Sequence, residues 1–240
     1  MTNYDMLVAI NDRAKANIEA LNSSGNINEV SKCIAFVDDL STWISKCGDF
    51  SNYLLVKKAQ TEFTNSIFLC AQGFYKEAIT ALRQSLEHML FALILSTNDF
   101  HYRQWLAGQY DMSWAQIMDS NIGVFGKQLI PLYNKDLDED KSIELITIAK
   151  NVYRECSEFV HGNYEKLKIL ADSLEYSETM LKMYLEYFSS VQYVLSVALF
   201  IRFRDILENH DVLKQVEHIL IEHLGSLPEV QLLYATESEE

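Results

Sequence analysis

Apolar and polar positions alternate most regularly between Ile143 and Gly162, where Leu145, Ile148, Ala149, Val152, Cys156 and Phe159 recur at three- and four-residue steps. That spacing gathers them along one side of an α-helix. The other side carries Arg154 and His161, seven positions apart. Seven residues make almost two full turns, so both side chains leave along one stripe, about 10 Å apart along the axis. With the apolar arc turned to the core, the arginine and the histidine face solvent or a second molecule.

The same period recurs through most of the chain. Leu7, Ile10, Ala14, Ile18 and Leu21 predict a helix over residues 3–22, which the SSGN segment breaks. Asn26 and Glu29 have the spacing of a capping pair that opens a second helix, running through Trp43 to about Lys46. After Gly48 and Asp49, Leu54, Phe63, Ile67 and Cys70 mark a third. Gly73 precedes the most strongly helical segment, in which Tyr75, Ile79, Leu82, Leu86, Met89, Leu90 and Leu93 share one side and require cover from at least two other helices. Arg83 and Glu87 lie four residues apart on its flank, the spacing of an intrahelical ion pair.

Residues 98–136 are the least regular, with Gly108, Gly123, Gly126 and Pro131 set among Trp105, Trp114, Phe125 and Tyr133. They predict short helices joined by turns, one of them capped by the Ser113 and Gln116 pair. The acidic lead-in LDEDK suits the start of the 143–162 helix. Gly162 and Asn163 stop it just after His161, in the last turn, where a helix end favours positive charge. A long helix over 177–208 and a shorter one over 211–224, ending at Gly225, complete the pattern.

With 8 glycines and 2 prolines in 240 residues, turn residues are too few for a strand-rich fold. The chain reads as all-α, a multi-helix antiparallel bundle forming one domain over residues 1–235, followed by an acidic tail at 236–240. The net charge of −14 argues against a broad surface that coats nucleic acid, but leaves room for a small local site. Cys33, Cys47, Cys70 and Cys156 show no ligand spacing and read as reduced structural thiols. The N-terminus lacks a signal-peptide pattern, and the apolar stretches Met89–Leu95 and Val191–Ile201 are short for a bilayer. These features imply a cytoplasmic protein without a membrane role.

Chemistry narrows to the 143–162 stripe. His88, His101, His210, His218 and His223 form no triad-like or HExxH arrangement; His218 and His223 are five apart, off the spacing that presents both to one metal. Neither a metal nor a cofactor is expected. An arginine grips phosphate with paired, permanent donors, and a histidine that titrates near neutrality moves a proton. The competing reading pairs Arg154 with Glu158 and leaves His161 capping carbonyls or pairing with Glu158 or Glu165. Ser157, between the two on nearly the same stripe, reads first as a solvated serine and second as a hydrogen-bond donor to a phosphate. Tyr184, Tyr187 and Tyr193 read as packing residues.

The segment Tyr-Arg-Glu-Cys-Ser-Glu-Phe-Val-His-Gly at 153–162, with the RQSLEH-bearing helix upstream, resembles the HEPN superfamily, whose signature is an arginine and a histidine separated by four to six residues near a helix end. Here the separation is six. The resemblance covers about residues 60–210, with the helices of residues 3–47 packed on that core. It implies a homodimer with the two Arg154/His161 stripes facing each other and metal-independent endoribonuclease activity through 2′-hydroxyl attack, as in toxins and phage-defence effectors. Arg154 and His161 would be catalytic, with Arg83, Glu87, Glu155 and Ser157 in support. The partners implied are RNA and an antitoxin or nucleotidyltransferase. Other members are non-catalytic modules that bind a nucleotide, RNA or protein. The chain departs from the active pattern in having Glu155 directly after the arginine, with Glu158 nearby, so Lys150, Lys166 or a partner subunit must offset two carboxylates.

Overall fold

The computed structural model describes residues 2–111, 113–135, 137, 139–170 and 174–235. Its helices follow the apolar period: α1 (Asn3–Ser23), α2 (Ile27–Ser45), α3 (Leu54–Ala71), α4 (Tyr75–Leu95), α5 (Asp99–Leu106), α6 (Trp114–Ile117), α7 (Ile130–Tyr133), α8 (Glu139–Val160), α9 (Tyr164–Lys168), α10 (Glu178–Arg202), α11 (His210–Leu224) and α12 (Pro228–Ala235). Two 3-10 turns, Gly48–Asn52 and Arg204–Glu208, lie between them, and no strand occurs among the described residues. The acidic tail expected at 236–240 lies outside those residues.

Helix α4 is the centre, packed against α3, α8 and α10. It is buried all round from Met89 to Leu95, because α5, α6 and the residues beside them cover it, with Trp105 and Tyr110 against Phe91. Plain packing therefore accounts for much of the aromatic content of that irregular segment. Helices α3 and α4 form an antiparallel pair across a turn in which Gly73 takes φ +88°. Phe74 N–H there reaches back to Leu69 O at 2.9 Å, a left-handed helix stop that favours glycine. Helix α8 runs antiparallel to α4: Arg83 meets Ser157 and, one turn on, Glu87 meets Tyr153. Helix α10 runs with α4, its start tied by Ser177 to Tyr75 and its end by Arg202 to Ser96.

Across the opposite side, Phe36 of α2 meets Phe63 of α3 and Phe188 of α10 edge-on, with ring centroids 6.0 and 5.9 Å away. Such pairs add about 0.5–1.5 kcal/mol beyond the burial of the rings themselves. One hydrophobic core joins these contacts, from Leu21 to Leu233. Helices α4 and α10 are long and apolar enough to cross a membrane by length and composition, since each extends beyond its short apolar stretch. In this fold their most apolar windows are 72% and 61% buried against other helices.

Several local expectations are corrected. Asn26 does not cap α2: its backbone is already helical, and its side chain donates to Tyr176 Oη at 2.8 Å. Leu7 and Ile10 are exposed, Leu7 by 68%, because only the second half of α1, through Ala14, Asn17 and Leu21, reaches the core. Leu54 is also exposed, and Leu55, Val56 and Ala59 fill the core position assigned to it. The long helix expected over 177–208 ends at Arg202, whose guanidinium bonds Ser96 while Phe203 turns onto Phe50. Helix α9 and helix α12 carry too few periodic positions to stand out in the sequence.

Candidate functional site

Helix α8 turns Leu145, Ala149, Val152, Cys156 and Phe159 into the core and leaves Arg154 and His161 exposed. The helix ends at Val160, so His161 follows the last turn directly, with its backbone N–H still bonded to Ser157 O at 3.0 Å. Gly162 takes φ +71°, and Asn163 N–H bonds Glu158 O at 2.9 Å. This paired stop satisfies the free carbonyls of the last turn with backbone donors, so the imidazole is not needed as a cap. Among the described residues, the His161 ring makes no hydrogen bond or ion pair. Arg154 is 65% exposed on its side chain and touches Glu155 Oε1 at 3.2 Å, not Glu158.

The two carboxylates beside Arg154 are held by Lys166. This side chain rises from α9, is only 15% exposed, and places Nζ 2.6 Å from Glu155 Oε2 and 3.9 Å from Glu158 Oε2. It also donates to Tyr187 Oη of α10 at 3.1 Å, and Tyr187 in turn donates to Glu155 at 3.3 Å. The Lys166 hydrogen bond lowers the Glu155 pKa below its ordinary value against the opposing effect of burial, and Arg154 adds to the lowering. Burial works to depress the Lys166 pKa, but the bonds to Glu155 and Tyr187 outweigh it and the net shift is upward. Both groups are thus charged at neutral pH. Of the counter-charges the sequence offers, Lys166 fills the role, while Lys150 stays exposed on α8.

The other predicted supports join α8 to α4 beneath the stripe. Arg83 donates to Ser157 Oγ at 3.3 Å, lies 3.5 Å from Glu87 Oε2, and covers the Tyr153 ring with its guanidinium 5.1 Å from the ring centre. Tyr153 donates to Glu87 at 3.5 Å, and Trp114 of α6 stacks on its other side at 3.9 Å and 7°. Ser157 spends its own hydroxyl hydrogen on Tyr153 O at 2.7 Å. Arg83 and Glu87 therefore hold α8 in place from behind, and Ser157 belongs to that brace. Arg154, Glu155 and His161 form the outer face.

Sequence reasoning missed the parts played by Tyr187 and Trp114. In the sequence Tyr187 has only the signal of a packing residue, and the return of α10 past α9 brings its hydroxyl to close the Lys166 clasp. Trp114 had no periodic signal to tie it to Tyr153. All four cysteines are free and buried, and burial pushes Cys33, Cys47 and Cys156 up to about 12, which suits structural thiols. The outer side offers an exposed imidazole just past the end of α8 and a permanent cation on it, beside a braced layer in which Lys166 offsets Glu155 and Glu158. No family model, no curated protein and no solved structure matches the chain.

Proposed function

We propose that the chain is a metal-independent endoribonuclease of the HEPN kind, working in the cytoplasm as a homodimer whose two Arg154/His161 stripes face each other. The observation that carries this reading is the exposure of Arg154 on α8 and of His161 just past its end, while Lys166 holds the neighbouring Glu155 and Glu158. Arg154 donates to the non-bridging oxygens of the scissile phosphate. His161 takes the proton from the ribose 2′-hydroxyl, and the 2′-oxygen attacks phosphorus. The bond to the 5′-oxygen breaks, and that oxygen accepts a proton from His161 of the partner subunit. The products are a 2′,3′-cyclic phosphate and a 5′-hydroxyl, a chemistry suited to a toxin or phage-defence effector. An antitoxin or nucleotidyltransferase is then the expected protein partner.

Purified wild type should cleave RNA in excess chelator, and Arg154→Ala and His161→Ala should each lose that activity with an unchanged unfolding temperature. A second reading, a non-catalytic module that binds a nucleotide, RNA or protein, is favoured by the 3.2 Å contact in which Glu155 occupies part of the Arg154 guanidinium. Under that reading the same variants weaken binding and no turnover is seen.

A further inference from the structure

His218 and His223, which their spacing sets apart, meet at one point because a residue far away in sequence lies between them. Asp39 of α2 places Oδ2 2.8 Å from His223 Nε2 and Oδ1 3.7 Å from His218 Nε2. Glu222 completes the group: the ligand atoms of Asp39, Glu222 and His223 all lie within 4.8 Å of one another. We propose that Asp39, His218, Glu222 and His223 bind a divalent cation of the zinc class that clamps α2 to α11, a proposal independent of RNA cleavage.

The imidazole of His223 is built in as a ligand would be. Its side chain is 5% exposed, Phe36 meets it edge-on at 5.2 Å and 89°, and Gln192 of α10 lies 3.0 Å from Nδ1. Three helices thus fix the ring with Nε2 aimed at the two carboxylates. A metal-bound histidine needs a lone pair on Nε2 and a partner for Nδ1–H. Here the Gln192 amide nitrogen faces Nδ1 at 3.0 Å, and turning the amide over in place presents its oxygen to Nδ1–H when Nε2 takes the ion. His218 and Glu222 stand one turn apart on α11 and project together, and both are exposed, so they are free to close on an ion.

Distances and chemistry agree with this assignment. Zinc bonds of about 2.0–2.2 Å at tetrahedral angles put neighbouring ligand atoms about 3.3–3.6 Å apart. The two Asp39 contacts, 2.8 Å to His223 and 3.7 Å to His218, bracket that spacing, while Glu222 lies within 4.8 Å of Asp39 and His223, so the exposed Glu222 and His218 side chains must swing in to complete the shell. Two carboxylates gathered beside one imidazole repel each other, and a dication between them reverses the sign of that interaction. Two imidazole nitrogens with two carboxylate oxygens select zinc, cobalt or nickel over calcium or magnesium, which take oxygen-only shells.

The test is titration of Zn²⁺ into chelator-stripped, dialysed protein, followed by calorimetry and by thermal unfolding, with Co²⁺ absorption reporting tetrahedral geometry. Wild type should bind one Zn²⁺ per chain and gain unfolding temperature on binding. Glu222→Gln and His218→Ala leave the bond between His223 and Asp39 intact, so the zinc-free protein should unfold as wild type does. Each should weaken zinc binding by about tenfold or more, and Asp39→Asn should weaken it further. Absence of zinc binding to wild type overturns the proposal. So does wild-type affinity in the Glu222→Gln/His218→Ala double variant, which would leave the contact as a plain hydrogen bond between helices.

Discussion

Lys166 Nζ lies 2.6 Å from Glu155 Oε2, tying the short helix α9 back onto the exposed end of α8. The contact settles the local charge of the stripe, because the same lysine stands 3.9 Å from Glu158. Lys166→Met removes the counter-charge and leaves two half-buried carboxylates beside Arg154. It should cost about 1 kcal/mol of stability and weaken RNA binding, with Lys166→Met/Glu155→Gln recovering most of the binding. Filter binding at fixed salt measures both, and unchanged affinity in Lys166→Met would show that the carboxylates do not bear on the ligand.

The clasp has a pH window with two edges. Glu155 has a lowered pKa in the folded state, so its contribution is fully present above its ordinary value of 4.5 and is lost as pH falls through the lowered folded value. Lys166 has a raised pKa, so its contribution is present below its ordinary value of 10.5 and is lost as pH rises through the raised one. Neutral pH lies inside both limits. Wild type should therefore unfold at a higher temperature than Glu155→Gln at pH 7, with the difference shrinking steadily as the pH is taken below 4.5. A pH-independent difference would mean that Glu155 acts through packing.

Gly73 turns α3 into α4 at φ +88°, and a Cβ there would lie 2.6 Å from Asn17 Nδ2, whose amide donates to Gln72 O. Gly73→Ala meets both a strained backbone and this anchoring side chain of α1. It should lower stability by about 1–2 kcal/mol, read as a shift in denaturant midpoint at constant slope. No loss would show that the turn relaxes into another conformation.

Trp114 stacks on Tyr153 at 3.9 Å, and Tyr153 in turn lies under Arg83. Trp114→Ala should cost about 1–2 kcal/mol and loosen the seating of α8 on α4. Hydrogen exchange should quicken at Tyr153 and Ser157 before it does in the Phe36, Phe63 and Phe188 cluster. Uniform quickening across both regions would place Trp114 in the global core instead.

The sequence carries the helices because an apolar residue every three or four positions has one structural solution, and α4 and α8 follow it closely. The exposure of Arg154 and His161 follows from the same period. The sequence fails where side chains override local signals: Asn26 has the spacing of a cap but turns to Tyr176, and Leu7 has the period of a core residue on a helix whose first half stays exposed. It also fails for contacts that only tertiary return creates. Tyr187 reaches Lys166 from another helix, and Asp39 sits between His218 and His223 although far from both in sequence.

The most direct measurement of the central claim is the end chemistry of RNA incubated with the purified protein in excess chelator, at a temperature well below unfolding. The account predicts fragments ending in 2′,3′-cyclic phosphate and beginning with 5′-hydroxyl, absent with Arg154→Ala and with His161→Ala. RNA left intact by wild type across several substrates, or fragments that persist in both variants, would contradict it.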